Sequence, residues 1–275
     1  IRDYRKIHAD YGTMEDFDHL LSEIHARGMR LIMDMVLNHT SDEHPWFQAA
    51  LRDPGSKYKD YYIWRKGKGE GVPPNNWESF FSEPAWNYYP EVGEWALHLF
   101  SRKQMDLNWE NPALREEIYD MLNWWMDKGV DGFRLDVINL ISKFDGLPDG
   151  EKSPITGIEQ YVYGPHLHEY LREMNERVFS RHDSYTVGEG CGLGAETQVS
   201  MTLASRRELN TTFCFSHFDT PGHNKYSTYC YDLNFLKAFV LKTQQVQDAD
   251  NWLTIVFENH DQPRFVSKIT RKPEE

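Results

Sequence analysis

A recurring order of elements constrains this chain most: an amphipathic helical window, a glycine, then a short apolar run. Thr13 stands as a helix N-cap with Asp16 as a partial capping box; Phe17, Leu20, Leu21 and Ile24 share one helical face, and Gly28 closes the window. Met29 to Leu37 follows, apolar except for Arg30 and Asp34, which is the pattern of a strand buried on both faces. The unit recurs. Asn111-Pro112 opens a helix bearing Leu114, Ile118, Met121, Leu122 and Trp125, Gly129 ends it, and Val130 to Val137 reads as a strand. Gly164-Pro165 precedes a third helix with Leu167, Tyr170, Leu171, Met174 and Val178, and Ser184 to Gly188 is its strand. Leu209 to Phe218 reads as a further strand, Asp232 as the cap of a helix carrying Leu233, Leu236 and Val240, and Trp252 to Phe257 as the last strand. Helix-to-strand repetition of this kind predicts an α/β fold.

Between His39 and about Met105 the repetition stops. Pro45, Pro54, Gly55, Gly67, Gly69, Gly71, Pro73, Pro74, Pro84 and Pro90 break any regular pattern, with Trp46, Trp64, Trp77, Trp86 and Trp95 among them. A segment this long inside a compact domain is a functional loop or a small subdomain. Most of its aromatic residues are expected to form its own core, with one or two left to line a ligand site.

Three of the strand runs end on acids: Gly132-Phe133-Arg134-Leu135-Asp136, Val187-Gly188-Glu189, and Phe257-Glu258-Asn259-His260-Asp261. In a parallel barrel the C-terminal ends of the strands converge on one face, where catalytic groups sit. Breaking a glycosidic bond with retention of configuration needs one ionised carboxylate to attack and one protonated acid to expel the leaving oxygen. Taken singly, each acid has a plainer explanation. Asp136 could simply pair with Arg134, which shares its strand face, and a Gly-Glu-Gly is most often a turn.

These runs, together with Asp34-Met35-Val36-Leu37-Asn38-His39, resemble the four ordered sequence regions of the α-amylase superfamily, glycoside hydrolase family 13. Asn259-His260-Asp261-Gln262-Pro263-Arg264 and Gln104-Met105-Asp106-Leu107-Asn108-Trp109 resemble its oligo-1,6-glucosidase, dextran glucosidase and α-glucosidase branch. The resemblance implies a (β/α)8 TIM barrel with a subdomain inserted after strand 3. Residues 1–38 would then be helix 2 and strand 3, residues 39–105 the inserted domain B, and residues 106–275 the barrel from helix 3 to strand 7. Barrel strands 1, 2 and 8 would lie outside the chain, which therefore reads as an internal fragment of a longer enzyme, inactive or very weak alone.

The resemblance implies Asp136 as nucleophile, Glu189 as general acid, and Asp261 as the third carboxylate, holding the sugar and its developing charge. Asp34, His39, Arg134, Val137 and His260 would bind substrate. For Asp34 a structural salt bridge competes with that role. Asp106 belongs to a segment read as structural, with Met105 where this branch usually has Pro. A Val directly after the nucleophile accompanies α-1,6 preference in related glucosidases, although Val is also simply a good strand residue. The activity implied is release of glucose from short α-1,6-linked oligosaccharides through a covalent glucosyl-enzyme. Alternatives are an α-1,4-glucosidase, a transglycosylase or isomerase such as a trehalose or isomaltulose synthase, and a non-catalytic transporter-subunit relative; the last loses its acids, whereas this chain keeps all three.

Composition agrees with a neutral sugar ligand. A formal charge of −13 over 275 residues argues against nucleic acid or an anionic membrane as partner. No run of about 18 apolar residues is present. Cys191, Cys214 and Cys230 lack the spacing of a disulfide framework or a metal site, so reduced thiols and a cytoplasmic setting are expected; a monomer is the expected state. No cofactor is expected; the family's calcium loop would precede Ile1.

Overall fold

The computed structural model describes residues 1–81, 83–214 and 232–269, in two compact units, residues 1–186 and 187–275. The segment 215–218 of the expected strand and Cys230 lie outside the described residues.

In the first unit, α1 (Met14–Ala26) begins with a complete capping box: the Thr13 hydroxyl accepts from the Asp16 N–H, and the Asp16 carboxylate accepts from the Thr13 N–H at 2.8 Å. Two of the helix's orphan donors are thereby satisfied. Gly28, at φ +69°, ends the helix in the left-handed conformation that glycine adopts without strain. β1 (Ile32–Val36) is shorter than the apolar run that predicts it.

The irregular stretch contains regular elements among its described residues. It carries β2 (His39–Ser41), α2 (Pro45–Arg52), β3 (Trp64–Arg65), β4 (Trp86–Tyr89), β5 (Glu94–Leu97) and β6 (Gln104–Asp106). β2 pairs antiparallel with β6, while β3, β5 and β4 form a second antiparallel sheet in that order. Phe47 of α2 stacks on Trp64 with centroids 5.5 Å apart and meets Tyr62 and Tyr89 edge-on. Trp64, Trp77 and Trp86 are buried, as core-forming rings should be; Trp46 and Trp95 are half-buried.

The regular repeat resumes with α3 (Pro112–Asp127), capped by Asn111, whose side chain accepts from the Ala113 N–H at 2.9 Å. Its buried residues are the expected Leu114, Ile118, Met121, Leu122 and Trp125, joined by Tyr119 and Met126. Each such side chain contributes about 1.5–3 kcal/mol by leaving water. β7 (Gly132–Asp136) lies parallel to β1, with Ile32 opposite Gly132 and Val36 opposite Asp136. α4 (Leu167–Arg177) starts after His166, so Gly164-Pro165 precedes the helix as its sequence predicts.

In the second unit, β8 (Tyr185–Glu189), which begins two residues before it, α5 (Ala195–Val199), β9 (Thr211–Cys214), α6 (Leu233–Val246), β10 (Leu253–Ile255) and α7 (Phe265–Ile269) follow in order. β8 pairs parallel with β9, and β9 with β10. Asp232 caps α6 as its sequence predicts, accepting from the Asn234 N–H at 2.8 Å. A small core joins Ala195, Cys214 and Leu253 to Val199, Phe239 and Val246.

One glycine has a purely structural task. Gly132 has φ +152°, and a Cβ there would sit 1.9 Å from the Tyr185 carbonyl oxygen. Gly132→Ala should therefore cost more than about 3 kcal/mol, because backbone and not a flexible side chain must move. Denaturant unfolding of the full-length protein checks this, and a shift under 1 kcal/mol would contradict it.

Candidate active site

β1 and β7 bring three of the expected residues into one ion-pair cluster. Asp34 is the register partner of Arg134, and Asp136 lies two residues further along the same face of β7. Arg134 Nη1 consequently lies 2.8 Å from Asp34 Oδ1 and 2.5 Å from Asp136 Oδ1. Arg134 and Asp136 are mostly shielded, with 11% and 21% of their side chains exposed, whereas Asp34 is 55% exposed. A guanidinium keeps its charge at any ordinary pH, so the cluster has a permanent cation at its centre. The salt bridge weighed for Asp34 is therefore present.

Val137, next in sequence, has φ +37° and ψ 41° and is buried. A β-branched residue in the left-handed region costs about 1–2 kcal/mol and persists only where its surroundings hold it. They do so here. The chain turns from β7 directly into a 3-10 turn, Ile138–Leu140, whose side chains are fully buried, and Asn139 Nδ2 donates to the Val162 carbonyl at 2.6 Å. Asp136 is thus the last extended residue before an enforced change of direction.

His39 opens β2 and is buried opposite Asp106. Burial lowers its pKa below the usual imidazole value, while the Asp106 and Asp136 carboxylates pull it upward. The Phe100 ring lies 5.0 Å from the His39 ring, and Phe80 stacks on Phe100 at 5.0 Å and 13°. Sequence reasoning missed Phe100, because nothing separates it from the apolar run of β5 and the residues after it.

Beneath His39 lies a buried charge pair, also missed. Asp106 is fully buried, 2.9 Å from Lys143 Nζ, and accepts from Asn38 Nδ2 and the Leu99 N–H, each at 2.7 Å. Lys143 also donates to Asn38 Oδ1 at 2.8 Å. Burial pushes the Lys143 ammonium below its ordinary pKa, and Asp106 opposes that shift. The available signal was a lysine two residues after Leu140-Ile141, in a segment with apolar residues at Ile138, Leu140 and Ile141. This network gives Asp106 the structural place read from the sequence.

In the second unit, Glu189 ends β8 and is 8% exposed. Gly190 after it is required by packing: a Cβ would lie 2.9 Å from the fully buried Gln198 side chain. His260 and Asp261 stand in the turn beyond β10, with His260 Nε2 3.3 Å from Asp261 Oδ2 and both side chains more than half exposed. The Asp261 N–H donates to Asn259 Oδ1 at 2.9 Å, and Glu258 pairs with Arg264. Among the described residues, no group of three or more His, Cys, Asp or Glu could hold a metal ion, and no helix is long and apolar enough to cross a membrane.

Comparison with known proteins agrees with this architecture. The family described as alpha amylase, catalytic domain, matches residues 1–275. An oligo-1,6-glucosidase of Halalkalibacterium halodurans is 49% identical over 98% of this chain and 49% of its own length. The crystal structure of trehalose-6-phosphate hydrolase from Bacillus licheniformis superposes with a TM-score of 0.93 at 45% identity, covering 98% of this chain and 48% of that one. Isomaltulose synthase from Klebsiella sp. LX3 gives a TM-score of 0.92 at 40% identity, covering 100% of this chain and 50% of that one. The chain thus spans about half the length of the relatives it matches.

The buried pair yields a stability test. Lys143→Met strands the Asp106 carboxylate without a counter-charge and should cost about 3–5 kcal/mol. Adding Asp106→Asn should recover more than half of that loss in a double-mutant cycle followed by denaturant unfolding. Additive losses would show that the two charges are not coupled.

Proposed function

Because this chain belongs to the α-amylase family through its catalytic domain, whose fold is a (β/α)8 barrel, we propose that its parent protein is a retaining α-glucosidase. The preferred substrates are short α-1,6-linked gluco-oligosaccharides, and no cofactor takes part. The observation that carries this reading is the Asp34–Arg134–Asp136 cluster on two adjacent parallel strands, with Asp136 at the end of β7 and the chain forced to turn at Val137. Residues 39–105 are proposed as the inserted domain, between barrel segments 1–38 and 106–275.

The chemistry follows from the carboxylates. Asp136 attacks the anomeric carbon while Glu189 gives its proton to the leaving oxygen, forming a glucosyl ester on Asp136. Water, deprotonated by Glu189, then releases glucose with its configuration retained. Arg134 fixes the aim of the attacking oxygen. Asp261 offsets the positive charge that develops on the sugar ring, and His39, Asp34 and His260 hold its hydroxyls. Val137 borders the leaving sugar, which is the basis of the α-1,6 assignment.

Two measurements on the full-length enzyme test the reading. Asp136→Asn should lower kcat by about a thousandfold or more and leave the fold intact, since the nucleophile is lost but its shape is kept. Product analysis with isomaltose, maltose and sucrose should show free glucose, fastest from isomaltose. Accumulation of a rearranged disaccharide would instead establish an isomerase, and undiminished turnover by Asp136→Asn would overturn the nucleophile assignment.

A further inference from the structure

His39 is held between two side-chain amides. Gln104 Nε2 lies 3.1 Å from His39 Nε2, and Asn38 Nδ2 lies 3.3 Å from His39 Nδ1. In both cases the identity of the facing atom is decided by what the other end of the amide does. The Ser101 N–H donates to Gln104 Oε1 at 3.0 Å, and Lys143 Nζ donates to Asn38 Oδ1 at 2.8 Å, so both amides turn an NH2 group toward the imidazole. A side-chain NH2 can only donate. An imidazolium, with an N–H on each nitrogen, would meet a donor on both sides; a neutral ring meets a match at the nitrogen that keeps its lone pair.

We infer that Gln104 is a positioning residue for the reaction: its amide N–H holds His39 as the neutral imidazole, with the lone pair on Nε2 and the proton on Nδ1. The shorter of the two contacts selects the tautomer. This inference rests on the sugar-binding role proposed for His39 and adds the residue that sets its protonation. Register explains why Gln104 is available, since β2 and β6 pair antiparallel with Ser41 opposite Gln104 and His39 opposite Asp106.

The charges facing His39 are the Asp106 and Asp136 carboxylates, which favour its protonation, and the Lys143 ammonium, which opposes it. Burial opposes it as well. With the ring neutral, Arg134 is left as the cation paired with Asp136, and the charge at the nucleophile does not vary as pH falls through the ordinary histidine range. A cationic His39 would compete with Arg134 for Asp136.

The test uses full-length protein carrying 15N-labelled histidine, with the His39 signal assigned by its loss in His39→Ala. The wild-type spectrum should show His39 neutral, protonated at Nδ1, across pH 5 to 8. Gln104→Met should let the two tautomers exchange and lower kcat/KM on p-nitrophenyl α-glucoside by about tenfold, the scale of one hydrogen bond. Gln104→Glu, of equal size, places an acceptor and a negative charge at Nε2. Its His39 titration should rise by about one pH unit or more, and because the neutral ring is the working form, activity should fall as pH drops through the raised value. If Gln104→Met does not fold, the Gln104→Glu pair of titrations decides alone. A wild-type ring protonated at Nε2, or a Gln104→Glu ring that titrates as wild type does, would overturn the inference. Absence of glucosidase turnover in the wild type would defeat the proposed function instead, and the imidazole spectrum would still be readable.

Discussion

The first unit is organised around a single guanidinium. Arg134 is nearly enclosed, and its charge requires compensation wherever the chain puts it; Asp34 from the neighbouring strand and Asp136 from its own supply two carboxylates within 2.8 Å. Geometry makes the arrangement reciprocal. Only a parallel pairing that sets Asp34 opposite Arg134 closes the cluster, and a slip of one residue would turn Arg134 toward the opposite face of the sheet. The ion pairs therefore specify register as much as they orient Asp136, and the stability of β1 against β7 is coupled to the aim of one carboxylate oxygen.

A second charge network lies under His39 and obeys the same logic at greater depth. Asp106 and Lys143 are far more deeply buried than Arg134, and neither would be tolerated alone. Asn38 contacts both, donating to one and accepting from the other, so its amide has no freedom to flip. That immobility is transmitted to His39. An apolar replacement of similar volume could match the pair in stability, but it could not fix which atom of Asn38 faces the imidazole.

Sequence was informative wherever one residue type meets one geometric demand. The Thr13 and Asp232 caps, the Asn111-Pro112 helix start and the buried face of α3 all follow from local rules that tertiary packing has no reason to override, whereas of the face expected on α1 only Leu21 is buried and Leu20 is 52% exposed. The pairing of Arg134 with Asp136 was equally legible, because alternation along a strand is short-range. Strand limits were less so: the apolar run from Met29 to Leu37 narrows to Ile32–Val36, since apolar character continues into loop residues such as Leu37 that are buried without pairing in a sheet. The short helix α5 carries too few turns for any periodicity to show. In residues 39–105, proline and glycine obscured two antiparallel sheets whose partners lie far apart in sequence, β2 with β6 and β3 with β5.

The residues around the candidate site that sequence did not reveal share one property: each acts through partners distant along the chain. Lys143 finds Asp106, Phe100 finds His39, and Gln104 reaches back across β2. A motif can mark a carboxylate, because most enzymes that cleave glycosidic bonds rely on that group. It cannot mark a supporting residue in the same way, since many side chains could orient a histidine or neutralise a buried acid, and the choice depends on which loop passes nearby. Specificity within one fold follows from the same freedom: a trehalose-6-phosphate hydrolase and an isomaltulose synthase differ in chemistry by name, although both structures superpose closely on this chain. Differences in substrate among such proteins are thus to be sought in the supporting contacts around the site, where sequence constrains least.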